Sequence, residues 1–472
     1  MDKRKVGILT FSDGRESVHR EVEPVNREFQ ERLADALRAT GEVEPVAGRE
    51  IIWTAELARN EAKRLADSGC EMTIFNFAVW SFPHLAAIAS RFAPGPFLLF
   101  SNINPRYPGM VGMLASAGAL DQIGALHGRL FGDIRDQQVL QKVLAFIRAA
   151  SAIHRLKGET FGLFGGRPMG MYTAVANPDQ WMSLFGIDVE HIDQSEIVRR
   201  AGEAPEEEVE AAFAWLSEKV GKIRYDGKQL TPEKLKLQIS SYIAVREMAG
   251  ERGLDFLGIK AQPELTDHFV TMDLTEALLN DPYDWNGPKE PIVAATEADM
   301  DGALTMEILK HLTGSPVLFA DLRHYDEELE AFDLCNSGTH PTYFAGRSYD
   351  PDDNLPKVEF YPQGFYFPAG GASVRHIAAP GQVTLARLAR KEGKYWLAIL
   401  PGEFLELPPT EAERKAEATQ VEWPHAFTRL EVGPEELLSE YDSNHIHAVY
   451  GDWVEELIWV AKMLRIPYRV FS

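Results

Sequence analysis

Cysteine is nearly absent from this 472-residue chain: only Cys70 and Cys335 occur. A disulfide framework is therefore excluded as the source of stability, and a reducing compartment fits. No run of about 18 or more apolar residues is present, which argues against a membrane-spanning helix. The opening MDKRKVGILTF enters a strand-like run at once and has no apolar stretch of signal-peptide length, so the expected location is the cytoplasm. Cations are also scarce. Lys+Arg 48 against Asp+Glu 71 gives a net charge of −23, which argues against a general nucleic-acid or anionic-membrane binder. The basic stretch TLARLARKEGK (Thr384–Lys394) is too short to reverse that. Low-complexity segments and short internal repeats are missing as well.

What is there is an ordinary globular composition, 45% hydrophobic and 25% charged, in a chain longer than one hydrophobic core usually serves. Two or three domains are expected. The first third alternates strand and helix. Val6–Phe11 reads as a strand, followed by the turn Ser12-Asp13-Gly14 and an amphipathic stretch to about Thr40. Ala55–Asp67 is helical in pattern, and Met72–Phe77 and Phe97–Phe100 are apolar runs of strand length. The second third repeats the theme, with strands at Thr160–Phe164, Gly186–Ile192 and Leu254–Ile259 and helices near Glu206–Val220 and Pro232–Gly250. Such alternation implies parallel sheets covered on both faces. Beyond about Pro316 the texture becomes β-rich, with KEGK joining two strands as a hairpin and one helix at Trp453–Leu464. Two α/β units followed by a mostly antiparallel β unit is the architecture these patterns predict.

Four segments carry residues suited to one divalent ion and a polyol: Gln262 in GIKAQPELTD, Glu297 in PIVAATEADMDG, Asp321 in SPVLFADLRHYD and His445 in DSNHIHAVYGDW. Each acid follows an apolar run, Pro291–Ala295 or Pro316–Ala320, of the length and composition of a buried parallel strand. Ligands in open α/β sheets bind just beyond the carboxyl ends of such strands. Two carboxylates joined by an imidazole make a hard O/O/N set with room for substrate oxygens. Each residue alone has a plainer reading. Glu297 opens a helix, where an acid suits the dipole in any case. Asp321 alone reads as a solvated loop acid. His445 and His447 share one face of a strand, and either serves as a hydrogen-bonded structural histidine. Trp80 and Trp423 read equally as core aromatics, Arg15 as a surface residue, and Met169 and Met171 as packing.

At these motifs the chain resembles the L-fucose isomerase family. The runs QPELTD and DLTEALLNDPYDWNGPKEPIVAATEADMDGALTMEILKHLTGSPVLFADLRHY look like that family's second-domain core, and SNHIHAVYGDWVEELIWVAKMLRIP looks like its C-terminal metal segment. The resemblance implies two Rossmann-like α/β/α domains, N1 over 1–156 and N2 over 157–315. A mostly antiparallel, β-barrel-like C-terminal domain over 316–472 would follow. It implies a Mn²⁺ ion, with Co²⁺ or Mg²⁺ as substitutes, held by Glu297, Asp321 and His445, the two acids also serving as the acid/base pair. It further suggests Gln262, Arg15, Trp80, Ser337, Trp423 and Asn444 as substrate-pocket residues, and a homo-oligomer, a hexamer, as the assembly. The related L-arabinose isomerases look like they use two glutamates and two histidines. Here the second acid is Asp321, and CNSG (Cys335–Gly338) stands where their first histidine is expected, so the fucose type fits better.

The implied reaction is the conversion of an aldose such as L-fucose or D-arabinose to its ketose, L-fuculose or D-ribulose. It removes a weakly acidic proton from C2 and passes through an enediolate. Three alternatives stay open at the level of sequence: an isomerase of another, C6-modified aldose, a metal-dependent sugar aldolase or epimerase using the same ligands, and a non-catalytic sugar-binding sensor.

Overall fold

The structure, a computed structural model, describes residues 3–337 and 339–472. The chain divides into two compact units, Met1–Arg155 with Glu455–Arg465, and Leu156–Val454 with Ile466–Ser472.

The first unit is built on a five-stranded parallel sheet. Its strand order is Val43–Ala47, Arg4–Thr10, Met72–Phe77, Phe97–Asn102, His127–Gly132. Met72–Phe77 and Phe97–Asn102 are buried at every position, as continuous apolar runs covered on both faces must be. The two edge strands are half exposed and were not legible as apolar runs. The late helix Val454–Leu464 is counted with this unit from Glu455 on: Trp459 meets Phe146 edge to face, with centroids 5.0 Å apart, and Glu456 accepts from Arg148 at 2.9 Å.

The second unit holds the remaining chemistry. A four-stranded parallel sheet runs Ala294–Thr296, Phe256–Ile259, Thr160–Phe164, Asp188–Ile192. Helix Pro232–Arg252 packs on it through buried residues such as Ile239, Ile243 and Met248, and ends on the left-handed Gly253 (φ 63°). The run expected as a strand over Pro291–Ala295 pairs only from Ala294 to Thr296, three residues at the edge of the sheet.

A seven-stranded sheet follows. Its order is Gly381–Lys391, His445–Tyr450, Leu318–Asp326, Ala331–Cys335, His425–Leu430, Lys394–Phe404, Tyr468–Val470. All pairings are antiparallel except that of Tyr468–Val470 with Lys394–Phe404. Gly381–Lys391 also pairs with Lys394–Phe404 over eleven positions, from Gly381↔Phe404 to Lys391↔Lys394. Their two-residue turn has Glu392 at φ 54° and Gly393 at φ 75°, the double left-handed geometry that lets a tight hairpin keep the twist of its strands. The KEGK hairpin is therefore present.

Asp321 corrects one expectation. By its sequence the apolar run Pro316–Ala320 has the pattern of a buried parallel strand with Asp321 just past its end. Instead Leu318–Asp326 is an antiparallel strand, and Asp321 stands inside it, paired with Cys335 on one side and His445 on the other. The length and apolarity of a run do not reveal which strand it pairs with, and the half-exposed continuation DLRHYD hid the rest. Among the described residues no helix is long and apolar enough to cross a membrane.

Candidate active site

Glu297 is delivered by an unusual turn. The helix that follows is Met300–Thr313, capped by Asp299, whose side chain accepts from the Gly302 backbone N–H. Glu297 therefore does not open the helix, as its sequence position suggested, but lies two residues before the cap. Glu297 and Ala298 are both left-handed, at φ 57° and 49°. Such backbone costs about 1–3 kcal/mol for a residue with a Cβ and persists only where its surroundings enforce it. The close neighbour is Gly258, where an added Cβ would stand 3.0 Å from the Ala298 Cα. A glycine at this point of the central strand Phe256–Ile259 lets the turn sit directly on the sheet, with Glu297 above its carboxyl edge.

Asp321 and His445 are cross-strand partners, so the ladder alone sets them side by side. His445 Nε2 lies 3.0 Å from Glu297 Oε2 and 3.6 Å from Asp321 Oδ1. Both Nε2 and the Glu297 oxygen are buried, and they approach without the geometry of a hydrogen bond. The other ring nitrogen, Nδ1, is bonded to Asp299 Oδ2 at 2.7 Å. Asp299 in turn accepts from Arg387 at 2.6 and 3.1 Å, and Asp299 and Arg387 are both fully buried. Arg387 comes from the basic stretch Thr384–Lys394. Nδ1 is thereby committed to Asp299, and Nε2 is the nitrogen turned toward Glu297 and Asp321. Burial alone would lower the His445 imidazole, but Asp299 and then Glu297 outweigh it and hold it up to about 10. Burial opposes ionisation of Asp299 too, yet Arg387 and His445 keep it well below the usual carboxylate range.

Asp321 is held at both oxygens, by Asn336 Nδ2 at 2.8 Å and Asn444 Nδ2 at 3.0 Å. Burial raises its carboxyl above the ordinary value, while His445 pulls it back and Glu297 adds to the rise. His447, the alternative histidine, lies on the same face but meets Arg387 rather than Glu297 or Asp321. Its Nε2 sits 3.2 Å from Arg387, and burial, then Arg387, keep the ring neutral.

A cavity of about 350 Å³ opens in front of these groups, lined by Gln262, Glu297, Asp321, Ser337 and Trp423 among others. The side-chain oxygen of Gln262 is buried without a partner. Ser337 donates its N–H to Asn336 Oδ1 at 2.7 Å; its neighbour Gly338, part of the CNSG motif, lies outside the described residues. Trp423 donates Nε1 to Gln363 Oε1 at 3.0 Å. Six of the nine expected site positions sit at or beside this cavity through their own unit's strands and turns, and Asn444 joins them by its bond to Asp321.

Arg15 and Trp80 belong to the first unit and are not in the cavity lining. Arg15 chelates the carboxylate of buried Asp13 at 2.8 and 2.6 Å, with its side chain 64% exposed. Trp80 follows the strand Met72–Phe77 and is half-buried. Sequence reading missed Asp299, Arg387, Asn336 and Gln363. Only Asp299 carried a signal, as an N-cap three residues before Gly302.

Among the described residues, the groups whose His, Cys, Asp or Glu ligand atoms all lie within 4.8 Å of one another are Asp333–Cys335–His425 and Glu159–Glu307–His311; the Glu297–Asp321–His445 set is more open than that. The first is internally satisfied, whereas the second keeps Glu159 Oε2 and both Glu307 oxygens buried without a hydrogen bond. In Asp333–Cys335–His425, His425 spends Nδ1 on Asp333 and Nε2 on the Gln420 carbonyl, each at 2.9 Å. In Glu159–Glu307–His311 the Lys310 ammonium already occupies the position of a cation, 2.5 Å from Glu307.

Three domain models of one family match this chain: L-fucose isomerase first N-terminal domain over residues 3–158, second N-terminal domain over 234–314, and C-terminal domain over 334–472. The chain belongs to the L-fucose isomerase family. It is an aldose–ketose sugar isomerase, an intramolecular oxidoreductase. Among its relatives, the L-fucose isomerase of Bacteroides thetaiotaomicron is 27% identical over 98% of this chain and 92% of its own length. That of Bacteroides fragilis is equally similar, at 27% over 98% and 92%. One from Streptococcus pneumoniae is 27% identical over 99% and 93%. A solved periplasmic solute-binding protein from Actinobacillus succinogenes with bound D-allose aligns with 66% of this chain and 93% of its own. At 10% identity and a TM-score of 0.17 it bears on neither fold nor function.

Proposed function

We propose that this isomerase is metal-dependent, that Glu297, Asp321 and His445 hold one Mn²⁺, and that its substrate is L-fucose or D-arabinose. The observation that carries the reading is His445 Nε2, a buried nitrogen with no hydrogen bond that stands between two carboxylates. Its other nitrogen is committed to Asp299. That donor set fits Mn²⁺, with Co²⁺ or Mg²⁺ as weaker substitutes. A divalent ion held there would supply positive charge to polarise the sugar carbonyl. The side chains do the rest. Glu297 and Asp321 form the acid/base pair: one takes the proton from C2 and a proton is returned to C1, while the O2 hydroxyl gives up its proton and O1 gains one, so that the carbonyl moves from C1 to C2. Asn336 and Asn444 fix the Asp321 carboxylate, so its lone pairs cannot wander. Gln262 offers its unpartnered oxygen to a sugar hydroxyl, Ser337 its hydroxyl, and Trp423 an apolar face. In the large sheet, the double pairing of Gly381–Lys391 supports the barrel-like reading of the C-terminal domain, 316–472, which follows the α/β domains 1–156 and 157–315 in sequence.

The test is chelation, dialysis and return of Mn²⁺, Co²⁺ and Mg²⁺ singly, with products of an aldose panel identified by chromatography. The expected result is turnover of L-fucose or D-arabinose with Mn²⁺ highest. Full turnover by the metal-free protein would overturn the metal assignment, and turnover confined to other aldoses would overturn the substrate.

We also propose a cytoplasmic homo-hexamer in which Arg15 and Trp80 of one subunit complete the pocket of another. Support comes from apolar side chains left exposed in each unit: Ile103, Met110, Val111, Leu114 and Phe131 in the first, and Met169, Tyr172, Phe365 and Tyr366 in the second. Contiguous exposed apolar surface marks association sites; Met110, Val111 and Leu114 lie together on the helix Gly109–Gln122, and Met169 and Tyr366 belong to the pocket wall itself. Trp80→Ala and Glu297→Gln proteins are then each inactive, while mixed oligomers of the two recover measurable activity. Proven mixed oligomers that stay inactive would indicate a site built within one chain.

A further inference from the structure

Arg323 lines the cavity two residues beyond Asp321, on the same strand. The ladder breaks at this point. Asp321 pairs with Cys335 and Leu322 with Leu334, but the next pair is His324 with Asp333, so Arg323 has no opposite residue. Such a bulge bends its strand and re-aims the extra side chain. Here it leaves the guanidinium against the cavity, with its carbon 5.7 Å from the centroid of the Trp423 ring.

That ring is a fixed plate. Trp423 is bonded to Gln363, which also donates to the Ser337 carbonyl at 2.8 Å and to Asp273, and Asp273 accepts from Thr271. Gln363 and Asp273 are both buried. A guanidinium lying over an aromatic face keeps its in-plane N–H donors free for acceptors. Among the described residues, no carboxylate stands within 4.0 Å of Arg323 to use them. It is the one cation in a described lining that also contains Asp267, Glu297 and Asp321.

We infer that Arg323 is a specificity residue: it binds acceptor oxygens on the part of the sugar chain beyond the reacting carbons. Two residues of strand place it roughly 6–7 Å past Asp321 along the backbone, exposed at the cavity wall. The pocket therefore selects aldoses long enough to present oxygens there, either a pair of hydroxyls or a terminal anionic group. The inference rests on the reading of Glu297, Asp321 and His445 as the reacting end.

The test uses the intact Mn²⁺-loaded protein and its Arg323→Met and Arg323→Lys variants. Inhibition constants are measured for erythritol, the pentitols and L-fucitol against an aldose that the wild type turns over. A terminal-carboxylate arm compares hexonic acids with the same hexitols. In the wild type, affinity rises with chain length. In Arg323→Met, the five- and six-carbon polyols weaken roughly 10- to 100-fold, the range set by hydrogen bonds to a charged donor, while erythritol is unchanged and kcat falls less than 1/KM. Arg323→Lys recovers part of the loss. A larger loss for the acids than for the hexitols supports an anionic partner, and an equal loss supports hydroxyls. An undiminished length dependence in Arg323→Met, or an equal loss for erythritol and L-fucitol, overturns the inference. Failure of the underlying reading shows separately, as wild-type turnover that survives metal removal.

Discussion

Glu297→Gln and Asp321→Asn are each expected to lower the exchange of the aldose C2 proton with solvent by roughly 10²- to 10⁴-fold, the usual contribution of a positioned acid or base. Both substitutions keep size and remove charge. Glu297 sits in a turn whose left-handed backbone is set by the sheet beneath it, so the amide should occupy the same place. Asp321 is fixed by the cross-strand pairing with His445 and by two asparagines, and the Asn side chain keeps the shape though not the basicity. The measurement is loss of the C2 proton signal in deuterated water at saturating Mn²⁺, with bound metal quantified in parallel. Exchange within tenfold of wild type, in protein carrying full metal, would remove that residue from the acid/base pair.

Asp299→Asn is expected to have a double effect. It breaks the buried ion pair with Arg387 and leaves a guanidinium without its partner in the interior, which costs about 3–5 kcal/mol. It also takes the carboxylate from His445 Nδ1, and such supporting partners are worth about 10- to 100-fold in metal affinity. Urea unfolding of the metal-free protein reads the first effect, and Mn²⁺ titration reads the second. His445→Ala should show the affinity defect without the buried-charge penalty, and high Mn²⁺ should restore part of its activity. His447→Ala removes a neutral ring beside Arg387 and should leave Mn²⁺ affinity near wild type. The reverse pattern for the two histidines would transfer the ligand role to His447.

The α/β texture was legible because buried parallel strands need unbroken apolar runs, and Met72–Phe77 is such a run. The edge strands Val43–Ala47 and His127–Gly132 escaped notice because a half-exposed strand does not need one. The KEGK hairpin was legible for a local reason: a two-residue turn requires positive φ, and a glycine in it is visible in one dimension. Asp321 was placed past a strand because composition cannot say which neighbour a strand will pair with, and the pairing made it an interior residue.

The order and context of Glu297, Asp321 and His445, with the motifs around them, were enough by themselves to point to the family. They lie on local signals: two apolar runs, a histidine strand and a short turn. Only the tertiary structure decided what surrounds them. Asp299 joins Arg387 from 88 positions away and His445 from 146, and Trp423 meets Gln363 from 60. Arg323 is turned into the cavity by a bulge that exists only because two particular strands are paired out of step. Such partners are chosen by burial: a charge or an amide taken out of water must find its complement wherever the fold brings one within reach, and sequence distance places no limit on where that is.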